Sequence, residues 1–368
     1  MKNTKTDNYF FENIANLKSL DNTIKRINEN DDFLSALIFI GDDNNFTAEE
    51  INNALKQARK PIVGGVFTGL LDKGVKYSQG ILSLGLPYAL DTKVIDLSDK
   101  VKIHAGVRDF YETTDCKDKS MVVFVDAFAD NKITFIEQLY NHFGISVSYV
   151  GGGAGSLSFK RKPVVFNEHG IFENSAVLGM MDKNIQVGVS HGWTPISNPL
   201  KVTETDGNIV KSIDWEPALD VYQKLIKEHS GLIPNKENFF DVAKSYPFGI
   251  SKIQSNFVVR DPISIHESGL LIVDEIPQGE FIYVLHGDKE KLLKGAADAR
   301  DRGVSNRESA VFCIDCISRV LYLGDDFGEE IYTIDKTKNI FGIFSLGEIA
   351  NFGTNLEIFN KTVVVTQF

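Results

Sequence analysis

The sequence predicts a mixed α/β protein of two packed domains, built on β-α-β units with additional antiparallel strands. Three apolar runs are each followed, about 25 to 30 residues later, by a second strand that leads into glycine, which is the spacing of a β-α-β unit. The stretches between these units alternate and carry turn residues, which indicates antiparallel strands. The 368 residues exceed what one compact core normally holds, so two domains are expected.

The first unit opens with a continuous apolar run at residues 36–40, typical of a strand buried on both faces. Thr47 and Glu50 have the spacing of a capping box, which predicts the start of a helix. The Lys60-Pro61 pair ends that helix, and the second strand runs into Gly64.

The second unit combines a strand at residues 121–125 with a helix over 133–143 and the glycine run 151–153. The third opens at 310–314 and ends at 340–342, with a middle that is weaker in helical pattern. The other predicted elements are strands at 80–86, 175–181, 186–190 and 200–205, a hairpin at Asp206-Gly207, and a helix that Pro217 begins.

These elements predict a leading helical segment over residues 1–32 and domains over 33–212 and 213–368. The leading helix is placed from Tyr9 to Ile27 on i, i+3/i+4 spacing. No stretch rich in proline and serine marks a linker, so the boundary is placed within the polar stretch near residues 206–216.

Composition favours a cytoplasmic protein that binds neither nucleic acid nor membrane. The net charge of -11 argues against a nucleic-acid groove or an anionic membrane surface, because both need a local excess of Lys and Arg. No run approaches the roughly 20 apolar residues of a membrane-spanning helix. The polar start, residues 1–8, argues against secretion, and the odd count of 3 cysteines fits a reducing compartment.

The glycine run after the second unit does not predict a dinucleotide site. Such a site needs a helix directly after the glycines, whereas the residues that follow, 158–163, are a poor helix start. A tight loop or close packing explains these glycines better.

Dispersed motifs over residues 33–368 keep the order and spacing of a known family. They are PIVGGVFTG (61–69), GGGAG (151–155), HGWTP (191–195), YPFG (246–249), VRD (259–261), CISR (316–319), GIFSLGE (342–348) and NKT (360–362). On these motifs the chain resembles the FIST family, named for F-box and intracellular signal transduction proteins, with an N and a C domain.

The resemblance implies a sensory module for a small ligand, such as an amino acid. Similar modules are often joined to histidine kinases, cyclic-dinucleotide enzymes or chemoreceptors. No output motif of these kinds is found in this sequence, so the resemblance implies action on such a partner in trans. Some similar proteins use haem to sense nitric oxide, and haem is the one cofactor considered.

Arg319 and Glu348 are the leading candidates for ligand binding. Each lies near the carboxyl end of an apolar strand, where open α/β sheets hold ligands. Arg can fork a carboxylate and Glu can accept from an ammonium group, so the pair could hold a zwitterion; an internal salt bridge is the alternative. Arg260 could add a carboxylate contact or instead pair with Asp261.

Three further residues complete the predicted ligand site. Cys316 is expected to line the pocket, although Arg319 could lower its pKa, and a cysteine-dependent enzyme is the further alternative. Tyr246 is expected to form an aromatic wall or to pack in the core, and Asn360 lies in a family motif.

The cysteine and histidine residues bear on whether a metal or haem site is predicted. The two cysteines of Cys313-x-x-Cys316 would face opposite sides of a strand, and the seven histidines are isolated, so a metal site is not predicted. His191 could serve as a single haem ligand. The sequence therefore predicts a non-enzymatic small-molecule sensor, with a haem-based nitric oxide sensor as the alternative.

Overall fold

The computed structural model describes residues 8–13, 16–252, 257–306, 308–353 and 355–368. Nine α-helices lie within this described part of the chain. They are α1 (Leu17–Glu29), α2 (Ala48–Leu55), α3 (Lys100–Thr113), α4 (Lys132–Phe143), α5 (Ala218–Ser230), α6 (Phe239–Ala243), α7 (Lys289–Gly303), α8 (Ile317–Leu323) and α9 (Phe327–Ile334).

The strands of the first part of the chain are β1 (Tyr9–Glu12), β2 (Ser35–Gly41), β3 (Ile62–Phe67), β4 (Gly69–Asp72), β5 (Val75–Tyr77), β6 (Ile81–Leu86), β7 (Leu90–Asp96), β8 (Lys119–Asp126), β9 (Val147–Ala154), β10 (Val165–Asn167), β11 (Gly170–Phe172), β12 (Ser175–Met181) and β13 (Val187–Ser190). Those that follow are β14 (Thr194–Pro195), β15 (Leu200–Asp206), β16 (Ile209–Ile213), β17 (Glu216–Pro217), β18 (Phe248–Ser251), β19 (Phe257–Arg260), β20 (Pro262–His266), β21 (Gly269–Ile272), β22 (Phe281–His286), β23 (Val311–Cys316), β24 (Ile340–Ser345), β25 (Glu348–Phe352), β26 (Asn355–Phe359) and β27 (Val363–Thr366).

The three predicted β-α-β units are confirmed. Strands β2 and β3, β8 and β9, and β23 and β24 pair in parallel, with α2, α4 and the α8–α9 pair as their crossovers. The capping box is present, because the Thr47 side chain accepts from the Glu50 backbone N–H and the Glu50 carboxylate accepts from that of Thr47. The hairpin at Asp206-Gly207 joins β15 to β16 as expected.

The predicted leading helix begins in the wrong place. Tyr9–Glu12 is instead the edge strand β1, paired antiparallel with β6, and the helix starts only at Leu17. Asn16 caps that helix by accepting from the Ser19 backbone N–H, and this local signal outweighs the weak apolar spacing that precedes it. Residues 1–7 of the predicted leading segment lie outside the described residues.

Strands from distant parts of the chain share sheets. The C-terminal hairpin β25–β26 extends the sheet of β9, β8, β12 and β7, since β25 pairs antiparallel with β9. Conversely, β4–β5 and β13 join β24 and β27 in the sheet that holds β23. The N-terminal and C-terminal halves are therefore interlocked by strand exchange rather than merely packed together.

The glycine run belongs to β9, and close packing explains it. A Cβ atom on Gly151 would lie 1.7 Å from the carbonyl oxygen of Val123, and one on Gly153 would lie 2.5 Å from that of Leu346. Of the two alternatives for this run, close packing is confirmed and the loop is wrong.

Phenylalanine rings hold the sheets against one another. Phe39 of β2 contacts Phe124 of β8 edge-on and stacks on Phe312 of β23, in each case with ring centroids 5.4 Å apart. Each ring comes from a different sheet, so this cluster lies where three sheets meet. No helix among the described residues is long and apolar enough to cross a bilayer.

Candidate ligand-binding site

A cavity of about 400 Å³, here called the junction cavity, lies at the carboxyl ends of β8, β23 and β24. Phe128 follows β8, Cys316 ends β23, and Leu346 follows β24. Parallel β-α-β units place their ligands at this end of the sheet, because the loops there diverge. Residues of both halves of the chain thus enclose a single space.

The wall and mouth of the junction cavity are mainly apolar. Its apolar side chains include Phe128, Phe159, Phe240, Ile263, Val273 and Leu321. Three of them are well exposed, Phe159 at 67%, Phe240 at 53% and Leu321 at 50%. An apolar wall with a few polar groups is the usual character of a small-molecule site.

Asp261 is the buried carboxylate of the cavity floor. Its Oδ1 lies 3.2 Å from the Lys361 ammonium nitrogen, and it accepts a hydrogen bond from the Ser318 hydroxyl. Burial raises the pKa of Asp261, and the nearby Lys361 charge offsets only part of that effect. Lys361 Nζ also donates to the Lys244 carbonyl at 3.0 Å, which fixes its position.

Lys132 supplies a cation on the other side of the cavity. Its ammonium nitrogen lies 2.8 Å from Asp274 Oδ1, and it donates to the Ala127 carbonyl at 2.7 Å. Burial alone would raise the pKa of Asp274, but Lys132 and then Arg260 more than offset it, so the pKa lies below its usual range. Asn360, which lines the cavity, donates to Asp274 Oδ2 at 3.1 Å.

Cys316 lines the cavity and contacts Glu348 behind it. Glu348 is fully buried, accepts from the Ser345 hydroxyl at 2.6 Å and the Thr362 N–H at 3.3 Å, and is also hydrogen-bonded by the Cys316 thiol. Burial raises the pKa of Glu348 to about 8. The pKa of Cys316 is raised well above its ordinary value by burial and then by Glu348 and Asp261, so the expectation that Arg319 lowers it is wrong.

Arg319 and Glu348 do not form a pair that clamps a ligand. The Arg319 guanidinium is fully buried, forms an ion pair with Glu330, and lies 3.5 Å from Asp315. It also donates to three backbone carbonyls, those of His191, Leu292 and Lys361. The alternative, an internal salt bridge between Arg319 and Glu348, is also wrong, because the carboxylate partners of Arg319 are Glu330 and Asp315.

Arg260 and Tyr246 lie away from the lining of the junction cavity. Arg260 Nη1 donates to the carbonyls of Val259 at 3.0 Å and Ile358 at 2.9 Å. The predicted alternative, a pairing of Arg260 with Asp261, is not formed, because Asp261 pairs with Lys361. Tyr246 packs in the core with its hydroxyl 3.0 Å from His229 Nδ1, which agrees with the packing interpretation.

The surroundings of His191 do not fit a haem. Its Nδ1 accepts from the Trp193 backbone N–H at 2.9 Å, and loss of hydration lowers its pKa to about 4. The segment packs directly on α7, where a Cβ on Gly295 would lie 2.9 Å from the His191 carbonyl carbon. His191 is not among the residues that line the junction cavity. The described residues also hold no cluster of three or more metal-ligating side chains.

Sequence reasoning missed the charged groups of the cavity. Lys132 begins α4, in the segment that follows the end of β8 at Asp126, whereas Ser318 and Lys361 lie inside the CISR and NKT motifs. Asp261 was considered only as a partner of Arg260. A charged residue immediately after an apolar strand was the available signal for Asp261, which follows β19, whereas no such signal marks Lys132.

Family comparisons agree with this two-part architecture. The FIST N domain model matches residues 35–216, and the FIST C domain model matches residues 218–351. The chain belongs to the FIST family. FIST domains are associated with sensing in signal transduction. The junction cavity lies between the two matched regions, and Asn360 and Lys361 come from the chain beyond the second.

The chain is also similar to a protein whose activity is not described. An uncharacterized protein of Methanocaldococcus jannaschii is 22% identical over 263 residues, which are 68% of this chain and 50% of that protein. The chain thus matches about half the length of this relative.

Proposed function

We propose that this FIST protein is a cytoplasmic sensor that binds an amino acid with an apolar side chain in the junction cavity. One observation carries the proposal: residues of both FIST regions enclose one cavity that has apolar walls, the buried carboxylate of Asp261 and the half-buried ammonium group of Lys132. A ligand held between two regions changes how they contact each other, which is what a sensor requires.

The charged groups suggest how such an amino acid binds. Asp261 on the floor accepts from the ammonium group, and Lys132 pairs with the carboxylate. Both residues already have ion-pair partners, Lys361 and Asp274. The two opposite charges of the amino acid therefore join two existing ion pairs, Asp261–Lys361 and Lys132–Asp274. The net charge of the site does not change, and no buried charge is left unpaired.

Calorimetry on purified protein tests this proposal with four probes. L-leucine and L-phenylalanine should bind. Phenylethylamine, which lacks the carboxylate, and phenylpropionate, which lacks the ammonium group, should bind more weakly. Asp261→Asn should weaken phenylalanine binding by about tenfold or more, because a hydrogen bond to a charged group is lost. It should not weaken binding of phenylpropionate.

The matched control is Asp109→Asn, which makes the same change on an exposed helix face. The proposal fails if no apolar amino acid binds, or if Asp261→Asn and Asp109→Asn bind phenylalanine as the wild type does. The output partner, expected to be a histidine kinase, a cyclic-dinucleotide enzyme or a chemoreceptor, is a separate part of the proposal.

A second candidate is thiol chemistry at Cys316, which the hydrogen bond from its thiol to Glu348 favours. Glu348 provides the base that a cysteine nucleophile needs once it ionises, as pH rises above its pKa of about 8. Iodoacetamide labelling as a function of pH, read by mass spectrometry, tests this candidate. A Cys316 labelling rate at pH 9 above that of the half-buried Cys116 supports it, and a slower rate removes it.

A further inference from the structure

A second cavity of about 450 Å³, here called the groove, lies between α4 and the strands β18 and β26. Ile136 of α4, Ile250 of β18 and Ile358 of β26 form part of its apolar floor. Asp274 lies close to residues of both cavities. Its negative charge is stabilised by Lys132, which lines the junction cavity, and by Arg260, which lines the groove.

Arg260 forms no direct ion pair with a described carboxylate, although its charge helps to lower the pKa of the nearby Asp274. It is 4% exposed, and no carboxylate oxygen of a described residue lies within the 4.0 Å of an ion pair from its guanidinium. Its hydrogen bonds go to two backbone carbonyls, and its Nε has no partner in the described part of the chain. The two other buried cations, Arg319 and Lys361, each have a carboxylate partner.

A buried guanidinium without a direct ion pair is costly, because two backbone carbonyls and the more distant Asp274 replace only part of the hydration that the charge loses. Its planar fork of donors matches the geometry of a carboxylate or a phosphate group. Arg260 lines the groove, so an anion that enters the groove can reach it.

The other charges of the groove restrict which anion fits. Four glutamates line it, namely Glu137, Glu275, Glu280 and Glu357, against the two basic residues Lys252 and Arg260. Lys252 already pairs with Glu357 at 3.3 Å. This excess of carboxylates repels a doubly charged anion such as phosphate and attracts an ammonium group.

We propose that the groove is a second ligand site, which binds a small zwitterion with its carboxylate on Arg260 and its ammonium group among the glutamates. The site is distinct from the junction cavity and does not depend on what that cavity binds. Its apolar floor accommodates the methylene groups that separate the two charges of the ligand.

The test uses γ-aminobutyrate, acetate and inorganic phosphate as probes on the full chain. Calorimetry should show that γ-aminobutyrate binds more tightly than acetate, and acetate more tightly than phosphate. Arg260→Met should weaken γ-aminobutyrate binding by about tenfold or more. Arg108→Met, the same change on an exposed helix, should leave it unchanged.

A spectroscopic measurement on the wild type guards against a variant that does not fold. The ¹⁵N resonance of Arg260 Nε–H should shift when γ-aminobutyrate is added, because that donor gains an acceptor. The site is refuted if the resonance does not move, or if Arg260→Met binds γ-aminobutyrate as tightly as the wild type. If phosphate binds as tightly as γ-aminobutyrate, the proposal that the ligand is a zwitterion is refuted. Phenylalanine binding that survives Arg260→Met separates this site from the junction cavity.

Discussion

Arg319 and Glu330 form an ion pair in which both side chains are fully buried, linking α8 to α9 beneath the junction cavity. The same guanidinium holds three backbone carbonyls from the segments around His191, Leu292 and Lys361. This single side chain therefore contacts four other parts of the chain, and its role is to stabilise the fold.

Arg319→Met should lower the free energy of unfolding by about 3–5 kcal/mol, because it leaves the Glu330 carboxylate buried without its partner. Arg260→Met, which removes a buried cation that forms no direct ion pair, should lower it by less than Arg319→Met does. Urea unfolding followed by circular dichroism measures both. Equal losses for the two variants would contradict this account of the Arg319 pair.

Glu348 should make stability fall as pH rises. Its pKa is about 8 in the folded protein, whereas an unperturbed Glu titrates near pH ~4.3. Between these values the unfolded chain releases a proton that the folded chain keeps, so the stabilisation is complete below about pH 4 and lost by about pH 8. At about 1.4 kcal/mol per pKa unit, up to about 4 kcal/mol is lost between pH 5 and pH 8.

Glu348→Gln removes that titration while keeping the shape of the side chain. The amide can donate to the Ser345 hydroxyl and accept from the Thr362 N–H, two of the three groups that contact the carboxyl now. The difference in unfolding free energy, variant minus wild type, should therefore increase from pH 5 to pH 8. A difference that stays constant across this range would show that Glu348 ionises normally in the folded protein.

Gly151→Ala should destabilise the central sheet. The new Cβ would lie 1.7 Å from the Val123 carbonyl oxygen, so β8 and β9 would have to separate. Overpacking of this kind costs typically about 1–3 kcal/mol. Gly328→Ala in α9 is the control, since no heavy atom lies within 4 Å of its Cβ position and alanine favours a helix. The midpoint temperature of thermal unfolding should be lower than that of the wild type for Gly151→Ala and higher for Gly328→Ala. The reverse order would contradict the packing explanation.

Local sequence patterns were sufficient for the β-α-β units, the Thr47 capping box and the Asp206-Gly207 hairpin. Each depends on residues close together in the chain, such as an apolar run or a turn dipeptide. The exchange of β25–β26 and β4–β5 between halves could not be predicted. Pairing partners hundreds of residues apart leave no period or spacing in the sequence.

Of the six residues predicted to bind a ligand, two line the junction cavity and four do not. Cys316 and Asn360 line the junction cavity at the strand ends, and Glu348 lies directly behind Cys316. Arg319 is close in sequence to Cys316, but the helical turn of α8 directs it away from the cavity to Glu330 on α9. Which carboxylate an arginine meets depends on how helices pack, and that information is not local.

Trp193 offers an intrinsic reporter of binding in the junction cavity. It is 2% exposed, its indole N–H donates to the Lys361 carbonyl at 3.1 Å, and the Lys361 ammonium lies 5.3 Å from its ring. Lys361 in turn pairs with Asp261 on the cavity floor. A ligand ammonium that binds Asp261 therefore changes the field at the indole ring.

In a Trp215→Phe variant, which removes the other tryptophan, 78% exposed, emission should come from Trp193 alone and lie at short wavelength. Titration with L-leucine, which is transparent at the excitation wavelength, should then change the intensity with the dissociation constant that calorimetry gives. The converse variant, Trp193→Phe, should show solvent-exposed emission that leucine does not alter. If calorimetry detects binding while Trp193 emission stays constant, leucine does not bind at Asp261.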